Sequence, residues 1–504
     1  MKKRIRIIYI LLLLFIGTNV TLYAANNKRT INIYNKKNFI NNLTRPNTVF
    51  RVRGNIDLKG ETLVLPPSSS IVLNKGRITN GCLKGNETRL DIKKASSIGV
   101  VFEGTWLCPM INDGVFLTDY LSDDEIIANI NRLQSKSIFN TVYLNKDKYI
   151  VSINESGGFS LCLLDSVKLI NNSLIELESN NHKSYSIILI SNSSNVEVQG
   201  GRIKGDVGRH TYQQGTTSEW GMGIYISASN NVNIHDILIS HCTGDGIYIT
   251  GLPTDYIGDY SMASKNVVLK NVVCDNNRRQ GLSVISVDGL LVEECEFINT
   301  GKIEKASPAA GIDIEPNVDK GRNNSVRNIR INNCVFKGNA GRPFDVDMGV
   351  TDGTINNFEN IIVSDCKADG PFFFGAQNVS VYNSSFESII VRPFEAPVNC
   401  HFENCDIYGC GIIIKDALKH DKLYFNKSPK SSATITLNGC KLTYRSSSLN
   451  KTNKLVYFEA SPNNRVSISF DSCNIIVPNK SSVRARERGN ISVKFTKCDI
   501  KEEK

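Results

Sequence analysis

Between Asn195 and Lys415 the chain is a succession of short runs in which apolar and polar residues alternate, punctuated by Asn, Asp or Gly. The runs include NVEVQGGRIKG, NVNIHDILISHCTGDGIYI, NVVLKNVVCDNNRRQGLSVIS, GLLVEECEFINT with AGIDIEP, NIRINNCVF with PFDVDM, NIIVSDCKADGPFFF, NVSVYNSSFESIIV and NCHFENCDIYGCGIIIK. A period of two with turn residues between the runs marks strands, and helical periodicity is almost absent. One marker returns at the end of an apolar run: Cys242, Cys274, Cys295, Cys334, Cys366, Cys405, Cys440, Cys473 and Cys498, with Ser384 taking that place in the shortest unit. The units are roughly 20 to 40 residues long, a solenoid period. A sandwich or propeller needs no such recurrence. Stacked rungs do, because each inward side chain packs on its equivalent about 4.8 Å along the axis. The expected fold class is all-β, a parallel β-helix.

The flanks read differently. Lys2, Lys3, Arg4 and Arg6, the apolar run Ile7 to Ile16 and the stretch ending Leu22-Tyr23-Ala24-Ala25 have the three-part layout of a secretory signal over 1–24. Ten apolar residues are too few to span a bilayer, which needs about 20, and no later run is long enough. No Cys precedes Cys82, so a lipid anchor on an early Cys is not expected. Residues 25–120 read as an N-terminal region of short strands. A helix is then expected to open the 121–415 coil and cap its end: Ser122 is an N-cap, Asp123, Asp124 and Glu125 an acidic first turn, and Ile126, Ile127, Ile130 and Leu133 one apolar face. Residues 416–504 keep the Cys marker in text richer in Lys, Ser and Asn, and read as less regular coils.

Charge and cysteine change this picture little. Without the four basic residues of the leader, the formal net charge of +10 falls to +6, spread thinly along the chain. A nucleic-acid partner would want clustered Lys and Arg with interleaved aromatics, and no such cluster exists. Fourteen Cys in an exported chain would ordinarily suggest disulfides. Their rung spacing points instead to a buried column of stacked thiols, since free Cys packs as a small apolar residue.

The strands after the marker carry the candidate chemistry. Ile224, Ile247, Leu282, Ile312 and Phe344 form an inward column, so Tyr225, Tyr248, Ser283, Asp313 and Asp345 are expected to face solvent between them. Asp313 and Glu315, with Asp345 and Asp347 one rung on, then make a two-by-two carboxylate patch. Mutual repulsion there must be offset by a cation, by Arg278, Arg279 and Arg342, or by protonation. The bland reading is a charge ladder neutralised by those arginines. The chemical ones are a calcium site of hard oxygen ligands at Asp313, Glu315, Asp345 and Asp347, or an acid and base for glycoside hydrolysis, with Asp245 and Asp313 near the inverting separation. A loop interrupts the coils just before this face, and its His210, Tyr212, Glu219 and Trp220 join Tyr225 and Tyr248 as expected substrate contacts.

These strands, together with DDEIIANINRLQ followed by NTVYLNKDKYIV, resemble the pectin-lyase-like superfamily, most closely over Asn195 to Lys415. The resemblance implies a right-handed parallel β-helix acting on polysaccharide, uronate-containing chains in particular. In pectate lyases acidic residues hold Ca²⁺ and an Arg acts as base in β-elimination, which would fall to Arg279, with Arg278 second. DNNRRQGLSVIS is also similar to a stretch of alginate epimerases, again placing Arg279 at an active-site Arg. Departures are plain: no His stands beside Gly281, no paired Asp lies on that coil, and the Asp-Pro-His motif of the epimerases is missing. A non-catalytic glycan-binding or surface structural β-helix is the alternative.

Overall fold

A computed structural model of the chain describes residues 28–503 except 93–96, 109, 113–118, 135–139, 155–157, 216, 253–261, 317, 320–321, 325, 347–357, 376–377, 392–397, 416–431, 446–453, 460–464 and 484–489. The leader expected over 1–24, and Asp347, lie outside the described residues. No helix among them is long and apolar enough to cross a membrane. The chain forms two compact units, up to residue 140 and from residue 141.

The first unit is a parallel sheet in which Arg29–Ile33, Thr48–Val52, Ser70–Leu73 and Arg77–Ile92 pair in succession. The expected helix forms as Asp123–Leu133, with a reciprocal capping box between Ser122 and Glu125. Ile126, Ile127, Ile130 and Leu133 are buried as the pattern requires. The helix belongs to this unit: Asn129, fully buried, accepts a hydrogen bond from the Phe102 N–H (3.1 Å) and donates one to the Val100 carbonyl (3.2 Å). It thereby satisfies an edge of the Ser97–Leu107 strand that would otherwise be left unpaired.

The second unit is the coil predicted from the repeat. Among the described residues the rung-to-rung pairings along one column are parallel, and the register runs Ile188, Ile224, Ile247, Leu282, Ile312, Phe344, Phe372, Ile389, Ile412, Val456 without a change of apolar character. All ten are buried. Beyond 416 the coils continue in the same way, Ser432–Asn438 pairing with Val398–Glu403 before it and Arg465–Asp471 after it. Phe side chains cluster in one part of the interior. Phe372 stacks on Phe386 at 4.4 Å, meets Phe344 at 5.0 Å and lies edge-on to Phe336 at 5.9 Å.

The described cysteines are free thiols, and most share one place for a reason the spacing did not reveal. Glu294, Asn333, Asp365, Asn404, Gly439, Ser472 and Lys497 each have a left-handed backbone, and the Cys that follows returns its Sγ to the carbonyl two residues back, as in Cys295 to Glu293 (3.2 Å) and Cys334 to Asn332 (3.3 Å). The thiol therefore closes a tight turn while filling apolar space. Ser384 does the same with Tyr382 (2.8 Å). Cys242 and Cys274 do not belong to this column. Cys274 lies within a strand, in register with Ile239 and Phe297, and Cys242 donates its N–H to the Asn277 side chain in a different turn. Counting from an apolar run places a Cys near a rung's end but does not separate one turn from the next.

Replacing Phe372 with Ala should remove about 3–5 kcal/mol, the usual effect of emptying a buried aromatic site. Urea unfolding followed by circular dichroism measures it, and a loss below about 1 kcal/mol would show that the aromatic stack contributes little beyond a surface residue.

Candidate functional site

Five successive strands, Trp220–Ser227, Asp245–Thr250, Gln280–Val284, Ala310–Ile314 and Phe344–Val346, present one face of the coil. Their tight entry is set by glycine. A Cβ on Gly281 would lie 2.6 Å from the Gly311 carbonyl and 2.8 Å from the Phe297 ring, so the preceding residues are held at a fixed height over the next rung. The outward column runs Tyr225, Tyr248, Ser283, Asp313, Asp345, Phe373 in register.

This column does not face open solvent as expected. Tyr248, Ser283, Asp313 and Asp345 are buried and Tyr225 is half-buried. Other side chains lie across them. Met222 and Ile285 pack against the two tyrosines, Gln280 donates its amide to Asp313, and Arg342 pairs with Asp345 while its guanidinium rests 4.7 Å over the Phe373 ring. Asp245 stands in a second column with Gln280 and Ala310, three residues earlier along the strands than Asp313. The two are linked through side chains. Arg279 donates to Asp245 (3.2 Å) and to the Gln280 Oε1 (2.8 Å), and Gln280 passes the connection on to Asp313.

Burial dominates the electrostatics. It pushes the Asp245 carboxyl up to about 7, although Arg279 pulls the other way. Asp313 keeps its proton well above the usual carboxylate range, first because it is buried and then because Glu315 and Asp345 crowd it. Glu315 is raised for the same reasons, burial first, and is hydrogen-bonded to Asp313. Burial and the neighbouring carboxylates thus favour the protonated form of both carboxyl groups. Burial works against the charge of Arg279, but Asp245, Asp313, Glu315 and Glu219 outweigh it and hold the guanidinium more firmly protonated than an ordinary arginine.

The two adjacent arginines go separate ways. Arg278 hydrogen-bonds the carbonyls of Thr217 (3.1 Å), Ser218 (3.2 Å) and Thr243 (3.2 Å), lies 4.6 Å over the Tyr212 ring and comes within 3.9 Å of Glu304. It ties the loop down and is not in the carboxylate patch. Tyr212 is held to Glu304 by its hydroxyl. His210 is buried, its Nδ1 2.8 Å from Asp206, which also accepts from Tyr185 (2.6 Å) and Asn180 (3.0 Å). Only the end of the loop reaches the patch: Glu219 lies 3.6 Å from the Arg279 Nε, and Trp220, 47 % exposed, meets Tyr248 edge-on at 5.9 Å. Tyr248 and Tyr225 are stacked at 5.2 Å, completing an aromatic platform.

Gln280, Asp206 and Glu304 were not singled out from the sequence. Aligning Gly246, Gly281 and Gly311 would have put Gln280 in register with Asp245. Asp206 and Glu304 sit in insertions, where no periodicity speaks. Of the four residues expected to hold calcium, Asp347 lies outside the described residues. Among the described residues no three His, Cys, Asp or Glu side chains converge closely enough to hold an ion, and Asp313 and Asp345 already engage Gln280 and Arg342.

Residues 141–328 match a family model described as a right handed beta helix region. An uncharacterized protein of Bacillus subtilis (strain 168), the SPbeta prophage-derived YorA, is 33% identical over 173 residues, 33% of this chain and 29% of that protein. The chain thus spans less than a third of the length of the curated relatives it matches. Among solved structures, the A-module of the Azotobacter vinelandii mannuronan C-5 epimerase AlgE6 is similar at 13% identity and a TM-score of 0.44, over 77% of this chain and 99% of that one. The tailspike of E. coli bacteriophage HK620, in complex with a pentasaccharide, is similar at 11% identity and a TM-score of 0.43, over 71% and 72%.

The raised Asp245 carboxyl carries a stability signature. Below about pH 4 it is protonated in folded and unfolded chains alike. From there to about 7 the unfolded chain releases the proton and the fold retains it, so stability falls as pH rises and the full cost is present above 7. Asp245→Asn should therefore gain in melting temperature relative to the parent between pH 4 and pH 8. Parallel melting curves across that range would contradict the assignment.

Proposed function

We propose that this chain, a right-handed parallel β-helix of the pectin-lyase-like superfamily, is an exported glycoside hydrolase that binds a polysaccharide along the face from Trp220 to Asp345. The observation that carries the reading is the buried Asp313 carboxyl, in contact with Glu315 and one rung from Asp345, which is ion-paired to Arg342. Two carboxyl groups whose surroundings differ in this way are suited to opposite roles.

In this mechanism the Asp313–Glu315 pair is the acid. Glu315 is the more exposed member and presents the proton to the glycosidic oxygen. Asp345 stands on the next rung as the carboxylate that stabilises or traps the developing positive charge on the sugar. Strands about 4.8 Å apart suit the retaining separation of about 5 Å more than the wider inverting one. Gln280 and Arg342, which lie over the two aspartates, exchange their hydrogen bonds for sugar hydroxyls on binding. Arg279 and Asp245 orient the adjoining sugar, and Trp220 supplies an aromatic face for its ring.

Elimination from a uronate, with Arg279 as base, is a poorer fit. A guanidinium surrounded by four carboxylates holds its proton too firmly to take another from a substrate. Hydrolysis by two carboxyl groups also asks for no cation, so a chelator should leave it unaffected.

The test is a panel of polysaccharides assayed for reducing ends and for the absorbance of unsaturated uronates. New reducing ends without that absorbance are expected, unchanged by EDTA, and Asp313→Asn should lower kcat by about 10²- to 10⁴-fold, the range of general acid catalysis. Unsaturated products, or a chelator-sensitive reaction, would replace this reading with elimination. Glycan binding with no cleavage of any chain would make the protein a binding module.

A further inference from the structure

The charge of the cleft limits which sugars it can hold. Glu219, Asp245, Asp313, Glu315 and Asp345 share the guanidiniums of Arg279 and Arg342, so carboxylates outnumber cations. Both guanidiniums are already engaged, Arg279 with Asp245, Glu219 and Gln280, and Arg342 with Asp345. Arg278 is turned to the loop carbonyls and Glu304. An incoming chain therefore meets an exposed Trp220 edge and the partly exposed carboxylates of Glu219 and Glu315.

A second observation lies in the same column. Ser283 is fully buried between Tyr248 and Asp313, and its Oγ has no hydrogen-bond partner. A hydroxyl kept dry and unpaired beside a pair of carboxyl groups has lone pairs free to accept from a ligand's donor. A ligand that brings N–H donors and positive charge satisfies both features at once, whereas a uronate adds a like charge to a site already short of cations.

Resting on the reading of this face as the glycan cleft, we infer that it selects chains carrying protonated amino groups, a 2-amino-2-deoxy sugar being the simplest. The ammonium lies among Glu315, Asp313 and Ser283, and the neighbouring ring rests on Trp220. This departs from the uronate-containing substrate implied by the superfamily resemblance. The clustered carboxylates are in this view the complement of the substrate and not a metal site.

The chain has two tryptophans, and Trp106 is buried in the first unit, so a ligand-induced change in fluorescence reports Trp220, with Trp220→Phe as the control. Glucosamine oligosaccharides, their N-acetylated counterparts and oligogalacturonates of equal length are titrated at pH 6 in low salt and in 0.5 M NaCl. The amine form should bind at least about tenfold more tightly than the acetylated form, the order expected of one partly screened charge pair. That preference should collapse in high salt and in Glu219→Gln and Glu315→Gln. Ser283→Ala should weaken the amine form alone. Equal affinity for the amine and acetylated forms, or tighter binding of oligogalacturonate, overturns the inference and leaves the cleft in place. No response to any of the three, in protein folded by circular dichroism, overturns the inference and the cleft together.

Discussion

Each side chain of the coil lies about 4.8 Å above and below its equivalents on the neighbouring rungs, so no residue can be placed without regard to the two it touches. Inside, this favours like on like: the column from Ile188 to Val456 stays apolar over ten rungs, and Phe side chains stack on one another. Outside, the same spacing is a liability for charge. Asp313 and Asp345 fall directly over one another, and two carboxylates at that distance under cover cannot both ionise freely. The protein answers with a guanidinium on Asp345 and with surroundings that favour the protonated form of Asp313.

That answer ties the fold to the chemistry. Had the outward column faced open water, screening would have left Asp313 an ordinary surface acid. Instead Gln280, Arg279 and Arg342 close over it; hydrogen bonds through Arg279 and Gln280 link Asp245 to Asp313 two rungs on, and Arg342 pairs with Asp345 on the rung after that. Arg278 acts at one remove, fastening the loop that delivers Glu219 and Trp220. A backbone fixed by glycine at Gly281 holds these groups at constant height, which is what a site assembled from several rungs requires.

Much of this was legible in the chain. The period of two, the turn residues and the recurrent Cys identified the coil, and the outward column was found in register from Tyr225 to Asp345. The helix at Asp123–Leu133 was readable from its cap and apolar face. What escaped was everything that depends on side chains crossing between columns. Periodicity says that Asp313 points outward but not that Gln280 lies on it, and it cannot tell that Arg278 and Arg279, adjacent in sequence, serve a loop and a carboxylate respectively. Nor did it distinguish Cys274, an inward strand residue, from the turn-closing Cys295. Insertions such as those bearing Asp206 and Glu304 have no equivalent on other rungs, so the repeat carries no information about them.

The protonation of Asp313 is where fold, electrostatics and proposed chemistry meet, and it can be observed directly. Carboxyl-selective ¹³C NMR across pH 3–9, with Asp313→Asn to assign the signal, follows that one group. The account predicts a midpoint well above the ordinary carboxylate range, falling when Glu315 is replaced by Gln. A midpoint near 4, where a free aspartate titrates, would contradict it.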